Sequence, residues 1–323
     1  MRSKILTLRG KSVLVTGGSG FVGSHLVDLL TSEKPSRIIV VDRTVKTKLS
    51  NLSSALKNFP NIKIIHLNVS NFSGLEKLFK TYKVDIVFHL AALSLFVSLK
   101  KPWETVRDNV IMATNLLELQ RKKLFKTLIL ISSSEAYGTA NFIPMKEDHP
   151  LHPTTPYAAS KAAADLIALS YYQTFGNDLT IVRPFNQYGP RQNLALRGVI
   201  TSSIEALLAD KQPVIYGTGD QTRDYMFVKD TARGIIDAYK NVSTRGQIVN
   251  LGSGKMIKIK DLVNKLIKVS GKKIKPSFQK ARVADVRNHC AGISLARKLM
   301  KWYPKEPLDE GLKKTYEWYK RKI

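Results

Sequence analysis

Over its first 184 positions the chain alternates short apolar runs with stretches of helical spacing. Residues 12–16, 37–42, 62–67, 85–90, 127–131 and 178–184 are compact apolar runs, the pattern of strands buried on both faces. Residues 24–33, 74–82, 103–120 and 156–175 carry the longer periodicity of helices. The last of these has defined ends. Thr155 is suited to accept from free helix amides, Pro156 fits the first helical position, and Gly176 is a normal stop. Strands alternating with helices predict an α/β fold built on a parallel, doubly wound sheet. After Pro184 the regularity loosens into Gly189-Pro190-Arg191, Gly217-Thr218-Gly219-Asp220 and a Lys-rich stretch over 254–276. One run, residues 247–251, is apolar enough to return to the sheet. The expected organisation is a main domain over 1–184, with 227–254 returning to it, and a smaller lobe from 185–226 and 255–323.

The first apolar run leads into Gly17-Gly18-Ser19-Gly20-Phe21-Val22-Gly23 and then a helix. A strand, a glycine turn and a helix begin a Rossmann unit, whose amides and helix N-terminus can cradle a pyrophosphate. Asp42 closes the second strand, where a carboxylate can bind the ribose hydroxyls of NAD and repel the 2′-phosphate of NADP. Arg43 follows it and is the residue that would instead take such a phosphate. On the helix after Thr155, Tyr157 and Lys161 are four apart and share a face. An ammonium beside a phenol favours its anion, so Tyr157 is expected to titrate below the ordinary value of about 10 and to serve as an acid/base.

Composition narrows the class. The chain has 323 residues, with 52 Lys and Arg against 25 Asp and Glu, a net charge of +27. The basic residues are dispersed, with small knots at Lys46-Thr47-Lys48, Arg121-Lys122-Lys123 and Lys272-Lys273, which favours a solvated surface over a nucleic-acid stripe. Cys290 is the single cysteine, so no intrachain disulfide forms and a reducing, cytoplasmic setting is expected. No apolar run reaches membrane-spanning length, and residues 1–11 are too short and polar for a signal peptide. No specific nucleic acid, membrane or metal is expected.

Several motifs then fall in a recognisable order: GGSGFVG, Asp42, HLAA from His89 to Ala92, Asn109, SSSEAYG from Ser132 to Gly138, YAASK, RPFNQYGPRQ from Arg183 to Gln192, TRDYMFVKD from Thr222 to Asp230, and Arg282-Val283-Ala284-Asp285. In that order they resemble the extended short-chain dehydrogenase/reductases that act on nucleotide sugars, over about residues 11–319. The resemblance implies a Rossmann domain that binds NAD and a C-terminal lobe that binds the nucleotide sugar. It places Gly17, Gly20, Phe21, Val22, Gly23, Asp42, Arg43, Asn68, Val69, Leu90, Ala91, Ala92, Asn109, Tyr157, Lys161 and Pro184 at the cofactor. Tyr157 resembles the acid/base, Lys161 its partner on the ribose, Ser133 the hydroxyl orienting the substrate oxygen, and Asn109 a structural or relay residue. Asn186, Arg191, Arg223 and Arg282 resemble residues holding the substrate, the arginines on its diphosphate, which fixed guanidinium donors suit. Met112, where relatives usually carry Gly, and Val283-Ala284, in place of Pro-Gly, depart from the pattern.

All these enzymes begin by oxidising the hexose C4. A ketone there acidifies the C5 hydrogen, which a nearby carboxylate can remove. The resemblance gives Glu135 that position, with Ser134 beside it where dTDP-glucose dehydratases carry Asp. The stretch HPLHPTTPYAASKAAAD is most similar to the UDP-N-acetylglucosamine 4,6-dehydratase branch. The expectation is a 4,6-dehydratase of a UDP-hexose, with 4-epimerase the alternative and UDP-glucuronate decarboxylase behind it. Relatives commonly dimerise through two helices, for which the candidates are 103–120 and 156–175.

Overall fold

The computed structural model describes residues 5–43, 49–196, 198–281 and 288–322. Seven strands, β1 (Ser12–Thr16), β2 (Arg37–Asp42), β3 (Ile62–His66), β4 (Ile86–His89), β5 (Thr127–Ile131), β6 (Asp178–Pro184) and β7 (Ile248–Leu251), form one sheet in the order β7-β6-β5-β4-β1-β2-β3. Every neighbouring pair is parallel. The longer helices are α1 (Phe21–Ser32), α2 (Phe72–Tyr82), α3 (Pro102–Arg121), α4 (Pro156–Phe175), α5 (Val199–Leu208), α6 (Val228–Lys240), α7 (Ile259–Ser270) and α8 (Leu308–Lys320).

Successive strand residues point to opposite faces, so the apolar runs feed two cores. Val13, Val15, Ile38, Val40, Ile86 and Phe88 meet Leu26 and Leu30 of α1 and Ile235 of α6. Leu14, Ile39, Val41 and Val87 meet Leu75 of α2, Leu116 of α3 and Ala164 of α4. A third core joins Ile204 of α5, Leu262 of α7 and Leu312 of α8 to Tyr188, Ile215 and Phe227. Each fully buried aliphatic side chain contributes roughly 1.5–3 kcal/mol against chain entropy. The late chain packs in two places: Ala291, Ile293, Ala296, Met300 and Trp302 join the first core, not the third. Met112 fills the second core at 5% exposure, so a side chain is accommodated where relatives have Gly.

α4 has the ends its sequence predicts. Thr155 Oγ1 accepts from the Ala158 amide at 3.2 Å, and Gly176 closes the helix at φ +68°. α1 begins at Phe21, so Gly23 lies inside its first turn rather than before it.

Candidate functional site

The sheet order reverses between β1 and β4, and ligands of such sheets sit beyond the carboxyl ends of the strands at that point. The two chains come very close there. Gly17 adopts φ +66°, and a Cβ on it would lie 2.8 Å from the Ala91 amide nitrogen. A Cβ on Gly23 would lie 2.2 Å from the Gly17 carbonyl oxygen, and one on Gly20 3.1 Å from it. Glycine alone lets this turn close. Gly20 is the N-cap of α1 and among the described residues no side chain caps the helix, which leaves the amides of Phe21, Val22 and Gly23 to face an anion.

Around the turn, Thr16 Oγ1 accepts from the Ala91 amide (3.2 Å) and bonds His89 Nδ1 (2.7 Å). These bonds fix the Leu90-Ala91-Ala92 turn. Ser19 Oγ donates to Asp42 Oδ2 at 2.5 Å, holding the buried carboxylate at the end of β2, with Arg43 exposed beside it. Past β3, Val69 is buried and Asn68 is exposed, its Oδ1 accepting from the Ser70 amide at 3.1 Å. This cradle fits the pyrophosphate and ribose of a dinucleotide.

The second part of the site lies where α4 meets the end of β5. Lys161 Nζ donates to the Ile131 carbonyl at 2.6 Å, and the Tyr157 hydroxyl shares a hydrogen bond with Ser133. Ser133 Oγ also accepts from the Glu135 amide (3.2 Å), capping the 3-10 turn Ser134–Tyr137, in which Ser134 is buried and Glu135 half-buried. Titration departs from the sequence expectation. Burial pushes the Tyr157 phenol up to about 12, the charges of Glu135 and Asp165 push the same way, and only the Ser133 bond opposes them. Lys161 does not bring the phenol down. Its ammonium is committed to the Ile131 carbonyl, and burial draws Lys161 itself down to about 8.

Asn109 is a clamp: Oδ1 accepts from the Leu93 amide (2.7 Å), and Nδ2 donates to the Leu93 carbonyl (3.1 Å) and to Ser160 Oγ (2.9 Å). It ties the chain after β4 to α4, and its bonds are used in doing so.

On the far side, Pro184 is buried at the end of β6, and Asn186 just beyond it has a buried Nδ2 with no hydrogen-bond partner among the described residues. Arg191, at φ +68°, pairs with Asp28 of α1 at 2.7 Å. Arg223 Nη1 donates to the Thr222 carbonyl (2.9 Å). The adjacent Asp224 accepts the amides of Ser253 (2.7 Å), Gly254 (2.9 Å) and Ala291 (3.0 Å), holding that strand in place. Arg282, with Val283, Ala284 and Asp285, lies outside the described residues, as does the Lys46-Thr47-Lys48 knot.

Two neighbours escaped the sequence reading. His289 is buried against the Phe185 ring (4.8 Å between centroids) and feels the Arg223 charge, burial lowering it to about 4. It sits in an irregular stretch with no periodic signal. Asp165 continues the four-residue spacing of Tyr157 and Lys161, which was visible. A cavity of about 630 Å³ opens at the opposite end of the sheet, among Lys83, Lys123, Asn177 and Asp178, and holds none of the site residues. Among the described residues no cluster of His, Cys, Asp or Glu could hold a metal, and no helix is long and apolar enough to cross a membrane.

Comparison with known proteins agrees with this arrangement. The family model for GDP-mannose 4,6 dehydratase matches residues 14–315. The UDP-glucuronate 4-epimerase of Thermodesulfobacterium geofontis is 36% identical, over 96% of both chains. Among solved structures, the UDP-glucose 4-epimerase of Thermotoga maritima superposes with a TM-score of 0.90 at 30% identity, over 96% of this chain and 99% of that one. The dTDP-glucose 4,6-dehydratase DesIV of Streptomyces venezuelae, solved with NAD bound, reaches 0.89 at 27% identity, over 96% of this chain and 97% of its own. From the glycine turn to the Tyr-Lys helix, the chain belongs to the extended short-chain dehydrogenase/reductase family, in its branch of nucleotide-sugar epimerases and 4,6-dehydratases.

Proposed function

We propose that the protein is an NAD-dependent 4,6-dehydratase acting through a 4-keto intermediate on a UDP-hexose such as UDP-N-acetylglucosamine. The observation that carries this reading is Glu135, half-buried in the turn that Ser133 Oγ caps, the same Ser133 that is hydrogen-bonded to Tyr157. A carboxylate thus lies in the turn next to the group that handles the C4 proton. The amides at Gly20 to Gly23 hold the pyrophosphate, Asp42 the ribose hydroxyls, and Asn186 and Arg223 the sugar nucleotide. When bound, NAD supplies the hydride acceptor and a ring cation that opposes the burial keeping the Tyr157 phenol protonated. Tyr157 Oη takes the C4 hydroxyl proton while Ser133 Oγ orients that oxygen. The carboxylate of Glu135 removes the proton at C5 and later returns it there. The Ser134 hydroxyl hydrogen-bonds the C6 oxygen, which takes the proton released from the C4 hydroxyl by way of Tyr157 Oη and leaves as water. The hydride taken from C4 returns to C6. The product is a 4-keto-6-deoxy sugar with no net oxidation.

A second reading, 4-epimerase, is favoured by similarity to the 4-epimerases above and by Ser134, a poor acid for a departing hydroxyl. It uses Tyr157, Ser133 and Lys161 in the same way and leaves Glu135 idle. The variant Glu135→Gln separates the two. Dehydration is expected to fall by about 10²–10⁴-fold while substrate still reduces bound NAD. Unimpaired turnover in this variant would end the dehydratase reading, and unimpaired turnover in Tyr157→Phe would end the catalytic assignment altogether. For assembly we propose a homodimer through α3 and α4, supported by the large apolar side chains Trp103, Ile111, Leu166 and Phe175 that this packed pair leaves exposed.

A further inference from the structure

Beneath the catalytic pair lies a buried charged cluster that the reaction as described does not use. Asp165 sits four residues beyond Lys161 on α4 and is fully buried. Its Oδ2 accepts from Ser132 Oγ at 2.7 Å and from Arg183 Nε at 2.8 Å. Oδ1 has no hydrogen-bond partner among the described residues. Arg183, at the end of β6, is itself 1% exposed, with its guanidinium 4.6 Å from the centroid of the Tyr137 ring. The Tyr137 hydroxyl in turn donates to Asn250 Oδ1 on β7 at 2.8 Å.

We propose that Asp165 is a positioning residue of the catalytic centre: it anchors the Ser132–Ser133 end of β5 to α4 and supplies the negative charge that keeps Lys161 a cation. This inference rests on the reading of Tyr157 and Lys161 as the acid/base pair. Among the described residues the Lys161 ammonium donates to the neutral Ile131 carbonyl and to no carboxylate. A buried ammonium with a neutral partner loses its proton easily. Burial has brought Lys161 to about 8 and Asp165 is the charge that holds it up; burial also raises the Asp165 carboxyl, which the Arg183 guanidinium, the Ser132 hydroxyl and Lys161 hold down in return.

The other titratable groups around the pair cannot substitute. From β4, His89 is held neutral by burial, down to about 3. From the turn after β5, Glu135 acts on Tyr157, and Tyr137 and Tyr157 are neutral phenols raised by burial. From β6, Arg183 is a cation, engaged by Asp165 itself. A buried Asp–Arg pair is a weak source of stability compared with apolar packing. Its hydrogen bond to Ser132, the residue before Ser133, and its place one turn beyond Lys161 give it a role at the site instead.

The test is direct titration of Lys161 by the ¹³Cε shift in protein labelled at lysine, with the resonance assigned by Lys161→Met. The wild type is expected to titrate near 8. Asp165→Asn keeps the shape and removes the charge, and its midpoint is expected below about 7, a tenfold or greater loss of proton affinity. Asp165→Glu restores the charge and is expected to return the affinity to within about threefold of wild type. Should Asp165→Asn fail to fold, the double variant Asp165→Asn with Arg183→Met removes both buried charges, and a smaller downward move is expected because loss of the guanidinium charge offsets part of it. An unchanged midpoint in a folded charge-removing variant overturns the proposal, because a mere cross-link between β6 and α4 would leave Lys161 unmoved. So does a wild-type midpoint at the ordinary lysine value. None of these readouts needs turnover, so failure of the catalytic reading shows separately in Tyr157→Phe.

Discussion

His25 shows how one buried residue ties the cofactor helix to the loop beyond β6. It lies on α1 at 3% exposure, its Nε2 donating to the Pro190 carbonyl at 2.9 Å, so that nitrogen carries the proton. Burial, with Arg191 and Lys229 adding to it, lowers the imidazole from 6.5 to about 4. A folded value below the unfolded one means stability fully present above pH 6.5 and lost as pH falls towards 4, at up to about 1.4 kcal/mol per pH unit. His25→Asn keeps a donor for Pro190 and removes this proton. In urea unfolding, the stability gap between wild type and variant is expected to narrow by about 1–2 kcal/mol from pH 7 to pH 5. An equal gap at both values contradicts the buried neutral imidazole. The Tyr157–Lys161 pair teaches the same lesson from the opposite direction. Spacing places both side chains on one face, but the sign of the Tyr157 titration depends on burial and on the Ile131 carbonyl, neither of which a spacing reveals.

At the scale of elements, the strands were legible because parallel strands buried on both faces are nearly continuous apolar runs. β2, β5 and β6 begin and end where the pattern places them. The start of α1 was not, because Gly23 reads as loop until the Gly17 carbonyl is seen against it. Helices α5 to α8 went unread: the apolar faces of α5, α7 and α8 build a separate small core among short strands, that of α6 packs on the first core, and Lys260, Lys265 and Lys268 interrupt the pattern of α7. α3 and α4 were read nearly to the residue, and their exposed apolar side chains carry the assembly prediction. Trp103 is 70% exposed and Leu166 58%. Light scattering at micromolar concentration is expected to give twice the 36.2 kDa chain mass, and Trp103→Glu with Leu166→Glu to give the single-chain mass. A single-chain mass for the wild type contradicts the proposed dimer.

For the whole molecule, the parallel sheet brings to one end what the sequence scatters between Gly17 and Lys161: the glycine turn, Asp42, the His89 turn, Ser133 to Glu135, and the Tyr157–Lys161 pair. The net charge of +27 has no comparable focus, since basic knots such as Lys122 (on Glu76) and Lys272 (on Asp210) pair locally with acids. The 291–302 segment, expected from the sequence in the smaller lobe with 255–323, packs on the first core and not on the third. The reaction proposed for this centre is removal of water from a UDP-hexose. A mass spectrum of UDP-N-acetylglucosamine after incubation with the protein and NAD tests it. The product is expected to be lighter by one water. A product of unchanged mass whose C4 proton is inverted by NMR would contradict it and establish epimerisation, with Glu135 a bystander.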